Sequence, residues 1–284
     1  MLAPATEAVS QARFRANQDD VKSQTFFSLA ISTCLAGCLQ GQVSAPELGI
    51  VRYADNTVRP IYGVEANLIV GKQLMAFADA VSFSEFGGLV AIKGRIQLIS
   101  RRGSVVSEYY TNERKPLLNI DGSLTTAIAY LPSREALLHW SGKSFVLTQL
   151  DAGSFGGKPT SVQVHGAHSA RLLATNAEGN VSEITISLET GQLTSLKFLP
   201  GIRGPAFLQQ SFVLFRDKQG LEIEAPNGSR RTVSVPSRDF TVERMSSDWL
   251  HLSSPSTQQS WVLHLSNSAL QLSEMPVSKA EARR

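Results

Sequence analysis

The side chains able to do chemistry are few, and most stand apart. The 284-residue chain has two cysteines, Cys34 and Cys38, and five histidines. From Leu39 onward there is no cysteine, so that part of the chain holds no disulfide, no thiolate nucleophile and no Cys-ligated zinc. The closest histidine pair is His165-Gly166-Ala167-His168. On a strand, positions i and i+3 point to opposite faces; in a turn the two imidazoles could converge on a metal. No carboxylate lies near them in sequence, and nothing matches His-Glu-x-x-His. The expected role of His165 and His168 is loop polarity, and no metal or cofactor is assigned. His251 and His264 alternate with apolar neighbours and are expected at outward strand positions.

The run Gly153-Ser154-Phe155-Gly156-Gly157 approaches a nucleophile elbow but lacks the residue between the first Gly and the Ser. It also lacks the Gly-Lys-Ser/Thr of a phosphate loop, since Lys158 is followed by Pro159. A loop between structural units is the expected reading. Asp121, Asp151, Asp239, Glu243 and Asp248 could do acid–base work, but spacing alone brings no two of them together. Asp121-Gly122 and Asp151-Ala152-Gly153 have the chemistry of turns. Trp140, Trp249 and Trp261 could line a groove and are expected to pack between units. No catalytic residue is assigned.

Cys38 has the most informative surroundings. Lys22 is the last cation before a run without charge that ends at Glu47. Inside it, Phe26, Phe27, Leu29, Ala30, Ile31, Leu35 and Ala36 form an apolar block. It is shorter than the ~20 residues a membrane-spanning helix needs and matches a signal-peptide hydrophobic region. The block ends in Leu35-Ala36-Gly37-Cys38, which resembles the lipobox of bacterial lipoproteins. Ala36 and Gly37 are small where a protease must close on extended backbone, and the Cys38 thiol is a soft nucleophile. The resemblance implies a diacylglyceryl group on Cys38, cleavage by signal peptidase II before it, and Leu35, Ala36 and Gly37 as recognition residues. Leu39, rather than Asp, follows the cysteine. By the same resemblance this points to the outer membrane, facing the periplasm, over the inner membrane.

The expected organisation follows. Residues 1–20 are a mis-assigned upstream extension, with translation starting at Val21, or a disordered leader. Residues 21–37 are the signal peptide, 38–47 a small polar tether, 48–277 the folded domain and 278–284 a charged tail. Removing 37 residues leaves about 247, one large domain or two small ones. Arg13, Arg15 and Lys22 balance Glu7, Asp19 and Asp20, so the remainder keeps the net charge of +3. Adjacent basic pairs occur at Arg101-Arg102, Arg230-Arg231 and Arg283-Arg284. They are read as two solvated turns and a tail; nucleic-acid binders concentrate such charge on one face, so no nucleic-acid partner is expected.

After Leu48 the pattern is almost wholly β. Ile184, Ile186 and Leu188 alternate with Glu183, Thr185 and Ser187; Leu221 and Ile223 with Glu222 and Glu224; Trp261, Leu263 and Leu265 with Val262 and His264. Turn residues recur every eight to twelve residues or so, the cadence of a sandwich, barrel or propeller. Residues 171–199 read strand, turn, strand, turn, strand, and resemble the inner strands of a WD-type propeller blade. Related units span 88–110, 135–151, 211–235 and 249–275, roughly 35–45 residues apart. The Trp-Asp and Gly-His signatures of WD repeats are absent. With a fragment at 50–70 that could complete the last blade by strand exchange, the expected fold is all-β, a propeller of about six blades (five to seven). A two-sheet sandwich is the alternative.

The expected protein is a cell-envelope lipoprotein, held by acylated Cys38, whose propeller binds or scaffolds an envelope protein without catalysis. The alternative is a propeller hydrolase or lyase acting on envelope or imported carbohydrate. It requires three or more ionisable groups around the ring axis. If Val21 is the start, mass spectrometry of the cellular protein will find no peptide from residues 11–20; recovering one contradicts that assignment.

Overall fold

The computed structural model describes residues 45–64, 67–122, 125–266 and 270–276. The signal segment at 21–37 and the lipobox at 35–38 lie outside the described residues. Six antiparallel sheets form among those described, each a meander pairing consecutive strands. The first has three strands: β1 (Glu47–Arg52), β2 (Val58–Val64) and β3 (Asn67–Val70). The other five have four each. The second contains β4 (Ala78–Ser84), β5 (Gly87–Ile92), β6 (Arg95–Ser100) and β7 (Val105–Tyr110). The third contains β8 (Leu117–Ile120), β9 (Ala127–Leu131), β10 (Ala136–Trp140) and β11 (Phe145–Gln149). The fourth contains β12 (Lys158–His165), β13 (Ser169–Thr175), β14 (Asn180–Ser187) and β15 (Leu193–Arg203). The fifth contains β16 (Ala206–Gln209), β17 (Phe212–Asp217), β18 (Gly220–Glu224) and β19 (Arg230–Val233). The sixth contains β20 (Thr241–Arg244), β21 (Trp249–Ser253), β22 (Ser260–Leu265) and β23 (Leu270–Glu274).

These sheets are the blades of a six-bladed β-propeller. The first strands of the five four-stranded blades, β4, β8, β12, β16 and β20, together line one axial cavity. The cores lie between blades. Ile184, Ile186 and Leu188 pack against Ile128 and Leu137 of the preceding blade. Leu221, Ile223, Trp261, Leu263 and Leu265 share the core between the fifth and sixth blades. Trp140 is buried between the second and third. Each such side chain contributes roughly 1.5–3 kcal/mol on leaving water. A sheet stacked this way covers faces it could not bury alone.

Two expectations need correction. The repeat units at 88–110, 135–151, 171–199, 211–235 and 249–275 each begin too late. Their strands are the outer ones of each blade, and the inner strand precedes the unit. Inner strands give little periodicity: β8, β16 and β20 have four residues each, and the end of β4 is buried at every position from Val81 to Ser84. Both faces of such a strand are covered, so alternation disappears. The fragment at 50–70 also does not complete the last blade. That blade already has four strands of its own, and β1, β2 and β3 form a separate sheet.

The first blade sits as a wedge. Ile50 and Val58 pack with Ala78, Val81 and Phe83 of the second blade. Val51, Tyr53 and Ile61 pack with Met245, Val262 and Met275 of the sixth. Successive residues of β1 thus enter opposite cores, as strand geometry requires. β1 meets the end of β20 and the turn after it: Ser246 Oγ donates to Leu48 O at 3.0 Å, Ile50 N to Met245 O at 3.4 Å, and Arg52 reaches Glu243. β20 also packs directly on β4, and no residue of β1 lines the axial cavity.

This seam admits no side chain at Gly49. Its φ is +155°, and a Cβ would fall 2.7 Å from Met245 O. Gly49→Ala is expected to lower the unfolding free energy by about 2 kcal/mol or more, read as a lower midpoint in a urea titration. Gly122→Ala, where a Cβ meets nothing within 4 Å, is the control that leaves it in place. Equal midpoints for the two variants would contradict the close approach.

Candidate axial site and ring seam

The inner strands enclose a cavity of ≈ 180 Å³. Much of its wall is apolar, from Val81, Leu117, Val162, Leu208 and Val242 among others. Its polar side chains join one strand to the next. Asn119 Oδ1 accepts from Val164 N at 3.1 Å, tying β8 to β12. Thr160 Oγ1 donates to Ala206 O at 2.8 Å, and Ser161 Oγ accepts from Leu208 N at 2.9 Å, tying β12 to β16. Gln209 Nε2 donates to Ser246 O at 3.2 Å and Ser247 O at 2.6 Å, in the turn after β20. Arg244 closes the set: its Nη1 donates to Ile120 O at the end of β8, and its Nε to Ser246 O at 3.3 Å. Burial pulls its guanidinium below the usual arginine range, and the charges of Asp121 and Asp248 oppose that.

Beside the cavity lies the ring seam. Arg52 donates from Nε to Glu243 Oε1 at 3.0 Å and from Nη2 to the same oxygen. Glu243 is opposite His251 in the β20–β21 register, and His251 Nδ1 lies 3.7 Å from Glu243 Oε2. The His251 side chain is 1% exposed and Glu243 15%. Neither imidazole nitrogen, nor Glu243 Oε2, has a hydrogen bond among the described residues. Burial pushes the Glu243 carboxyl up; His251 and the Arg52 guanidinium outweigh it and hold the group below its ordinary 4.5. A histidine oriented by a carboxylate can serve as a base. Here the imidazole is buried between the first and sixth blades.

The expected outward position of His251 is therefore wrong. The residue sits between the first and sixth blades, and the sequence alternation did not show that both faces of the last blade are covered; Val262 is fully buried for the same reason. His264 stacks on Trp249 at 4.4 Å, nearly parallel at 10°. His165 and His168 flank the β12–β13 turn and do not come together with other ligands. Among the described residues no group of three or more His, Cys, Asp or Glu could hold a metal. His168 Nδ1 does meet a carboxylate, Glu189, at 3.1 Å, both highly exposed. Ser154 lies in a short 3-10 helix (Ala152–Phe155) and donates to Asp151 O at 2.7 Å. This segment is a plug more than a loose loop, because Phe155 is 2% exposed in the core between the third and fourth blades.

Asp239 is also structural. Its Oδ1 accepts from the hydroxyls of Ser237, Ser254 and Ser256 at 2.6, 2.8 and 2.7 Å. These bonds hold its pKa far below the usual carboxylate range. Arg230 and Arg231, expected in a solvated turn, instead open β19, where Arg230 pairs with Glu224 at 2.7 Å.

No family model matches the chain, and no curated protein does. Among solved structures it is similar to a gluconolactonase of Xanthomonas campestris at 11% identity, covering 81% of this chain and 86% of that one, with a TM-score of 0.46. Hydrazine synthase of Kuenenia stuttgartiensis gives 10% identity, 80% of each chain and a TM-score of 0.44. PorZ, a surface component of the type-IX secretion system of Porphyromonas gingivalis, gives 9% identity, 81% of this chain but 31% of its own, and a TM-score of 0.44. None of these likenesses bears on activity.

The seam makes stability depend on pH with a defined sign. Glu243 has a folded pKa below its unfolded value, so its contribution is present above pH 4.5 and is lost as acid titrates it. Glu243→Gln is expected to flatten that acid limb while lowering stability at pH 7. Arg52→Ala should cost about 2 kcal/mol at pH 7, less than a fully buried pair because the arginine is 23% exposed. Urea midpoints from pH 3 to 8 measure both; parallel curves for wild type and Glu243→Gln would contradict the assignment.

Proposed function

We propose that the protein is a cell-envelope lipoprotein whose propeller is a non-catalytic binding module. One observation carries the second half. The ionisable groups lining the axial cavity are Glu243 and Arg244, and both are engaged by the ring itself, with Arg52 and with Ile120 O. A hydrolase or lyase working at the axis needs a general acid, a base and a polar cradle for substrate. The polar side chains here hold inner strands together.

Exposed apolar side chains on outer strands support a protein partner. Val105, Val106 and Tyr110 of β7, and Leu196 and Phe198 of β15, are each more than half exposed. Patches of this kind at unpaired strand edges are where other chains dock.

The sequence Leu35-Ala36-Gly37-Cys38 supports the anchor. A diacylglyceryl group with at least two chains, at ~0.8 kcal/mol per buried methylene, is sufficient for stable retention. Eight residues lie between Cys38 and Glu47, a tether that spans roughly 30 Å when extended. The membrane in question is the outer one, on its periplasmic side.

Fatty-acid labelling of wild type and Cys38→Ala tests the anchor: labelling and membrane fractionation should both disappear in the variant. Retention of both refutes the lipoprotein reading. Co-purification of the detergent-extracted wild type should recover a stoichiometric envelope protein. Turnover of an envelope glycan by the purified protein would refute the non-catalytic reading.

A further inference from the structure

Two carboxamides line the axial cavity and are almost wholly buried: Asn119 is 4% exposed and Gln209 2%. Each is tied to the ring by one end only. Asn119 Oδ1 accepts from Val164 N at 3.1 Å. Gln209 Nε2 donates to Ser246 O and Ser247 O. Only an amide oxygen can accept from a backbone N–H, and only an amide nitrogen can donate to a carbonyl. The ties therefore fix which end of each group is left over: Asn119 Nδ2, a donor, and Gln209 Oε1, an acceptor. Neither atom has a hydrogen bond among the described residues, and neither is one of their fully enclosed unpartnered atoms. Both keep their small accessible surface toward the cavity they line.

Ser161 Oγ adds a second donor. It accepts from Leu208 N at 2.9 Å, and its hydroxyl proton has no acceptor among the described residues. Around these groups the wall is aliphatic, with Val81, Val162 and Val242. Its charged groups are engaged inside the ring. Arg244 gives Nη1 and Nε to Ile120 O and Ser246 O and is met by the charges of Asp121 and Asp248. Glu243 pairs with Arg52 through Oε1, and its Oε2 is enclosed beside His251. The volume of ≈ 180 Å³ admits a six-membered ring with a substituent, since a cavity of about 150 Å³ takes up benzene.

We propose that the axial cavity binds a compact neutral molecule carrying a carboxamide. Its carbonyl oxygen, with two lone pairs, accepts from Asn119 Nδ2 and Ser161 Oγ. Its N–H donates to Gln209 Oε1, and its apolar body lies on the aliphatic wall. Such a ligand pairs buried polar atoms that the ring leaves unpaired. A carbohydrate brings more hydroxyls than this wall can pair, and an ion meets no free counter-charge. Carboxamides do not titrate, so the site binds without acid–base chemistry. The inference goes beyond the binding-module reading and needs neither the lipid anchor nor a protein partner.

Calorimetric titration of the full chain in detergent, with molecules of one shape, tests it. Benzamide should bind saturably. Acetophenone has a methyl in place of the amide nitrogen, and benzoate is charged and has no N–H; each should bind about tenfold more weakly or worse. Benzamide affinity should hold steady from about 0.05 to about 0.5 M salt, because no charges pair. Asn119→Asp keeps an oxygen for Val164 N and turns the free donor into an acceptor, so it should weaken benzamide about tenfold. If that variant does not fold, the comparison of benzamide with acetophenone in wild type still decides. Absence of saturable benzamide binding, equal affinity for acetophenone, or tighter binding of benzoate overturns the proposal. Undiminished affinity in folded Asn119→Asp overturns the placement of the ligand. Methyl glucoside displacing benzamide at equal affinity overturns the ligand class in favour of a carbohydrate.

Discussion

A ring of blades must join its last member to its first, and here the join is made without a shared strand. The sixth blade is complete in itself and the first has three strands of its own. What ties the first blade to the sixth is contact between β1 and the end of β20, beside the direct packing of β20 on β4: two backbone-directed hydrogen bonds, the Arg52–Glu243 pair and the apolar cluster around Val51, Tyr53, Met245 and Val262. Main-chain pairing would tolerate most side chains. A side-chain seam does not, which is why Gly49, Met245 and Glu243 are constrained together.

The axis shows the same economy. Four of the five inner strands approach closely enough for Asn119, Thr160, Ser161, Gln209 and Arg244 to bond the backbone of another strand or turn. Such bonds set the register of blades that otherwise touch through non-directional apolar surface. A centre built this way is held by directional bonds from strand to strand.

Sequence alone carried the outer strands well. Ile184, Ile186 and Leu188, or Leu221 and Ile223, bury one face each, so their alternation reads through. It carried the inner strands poorly, because four-residue segments covered on both sides lose the period that identifies a strand. His251 was misplaced for a related reason: its alternation with Leu250 and Leu252 on β21 is legible, but both faces of that strand are covered. The axial residues were less legible still. Asn119, Thr160, Gln209 and Arg244 belong to four different blades, and only the folded ring assembles them. Asp239 could have been suspected from Ser237, Ser254 and Ser256 nearby, but not its three convergent hydroxyls.

The account depends on the first and sixth blades behaving as one joined structure. Native-state hydrogen exchange across β1, β2, β20, β21 and β22 measures this directly. The account predicts that the protected amides of both blades open together, with a common free energy close to that of global unfolding. Exchange of the first blade at a much lower free energy, with the sixth still protected, would mean that it is a loosely attached flap and that the ring does not depend on this seam.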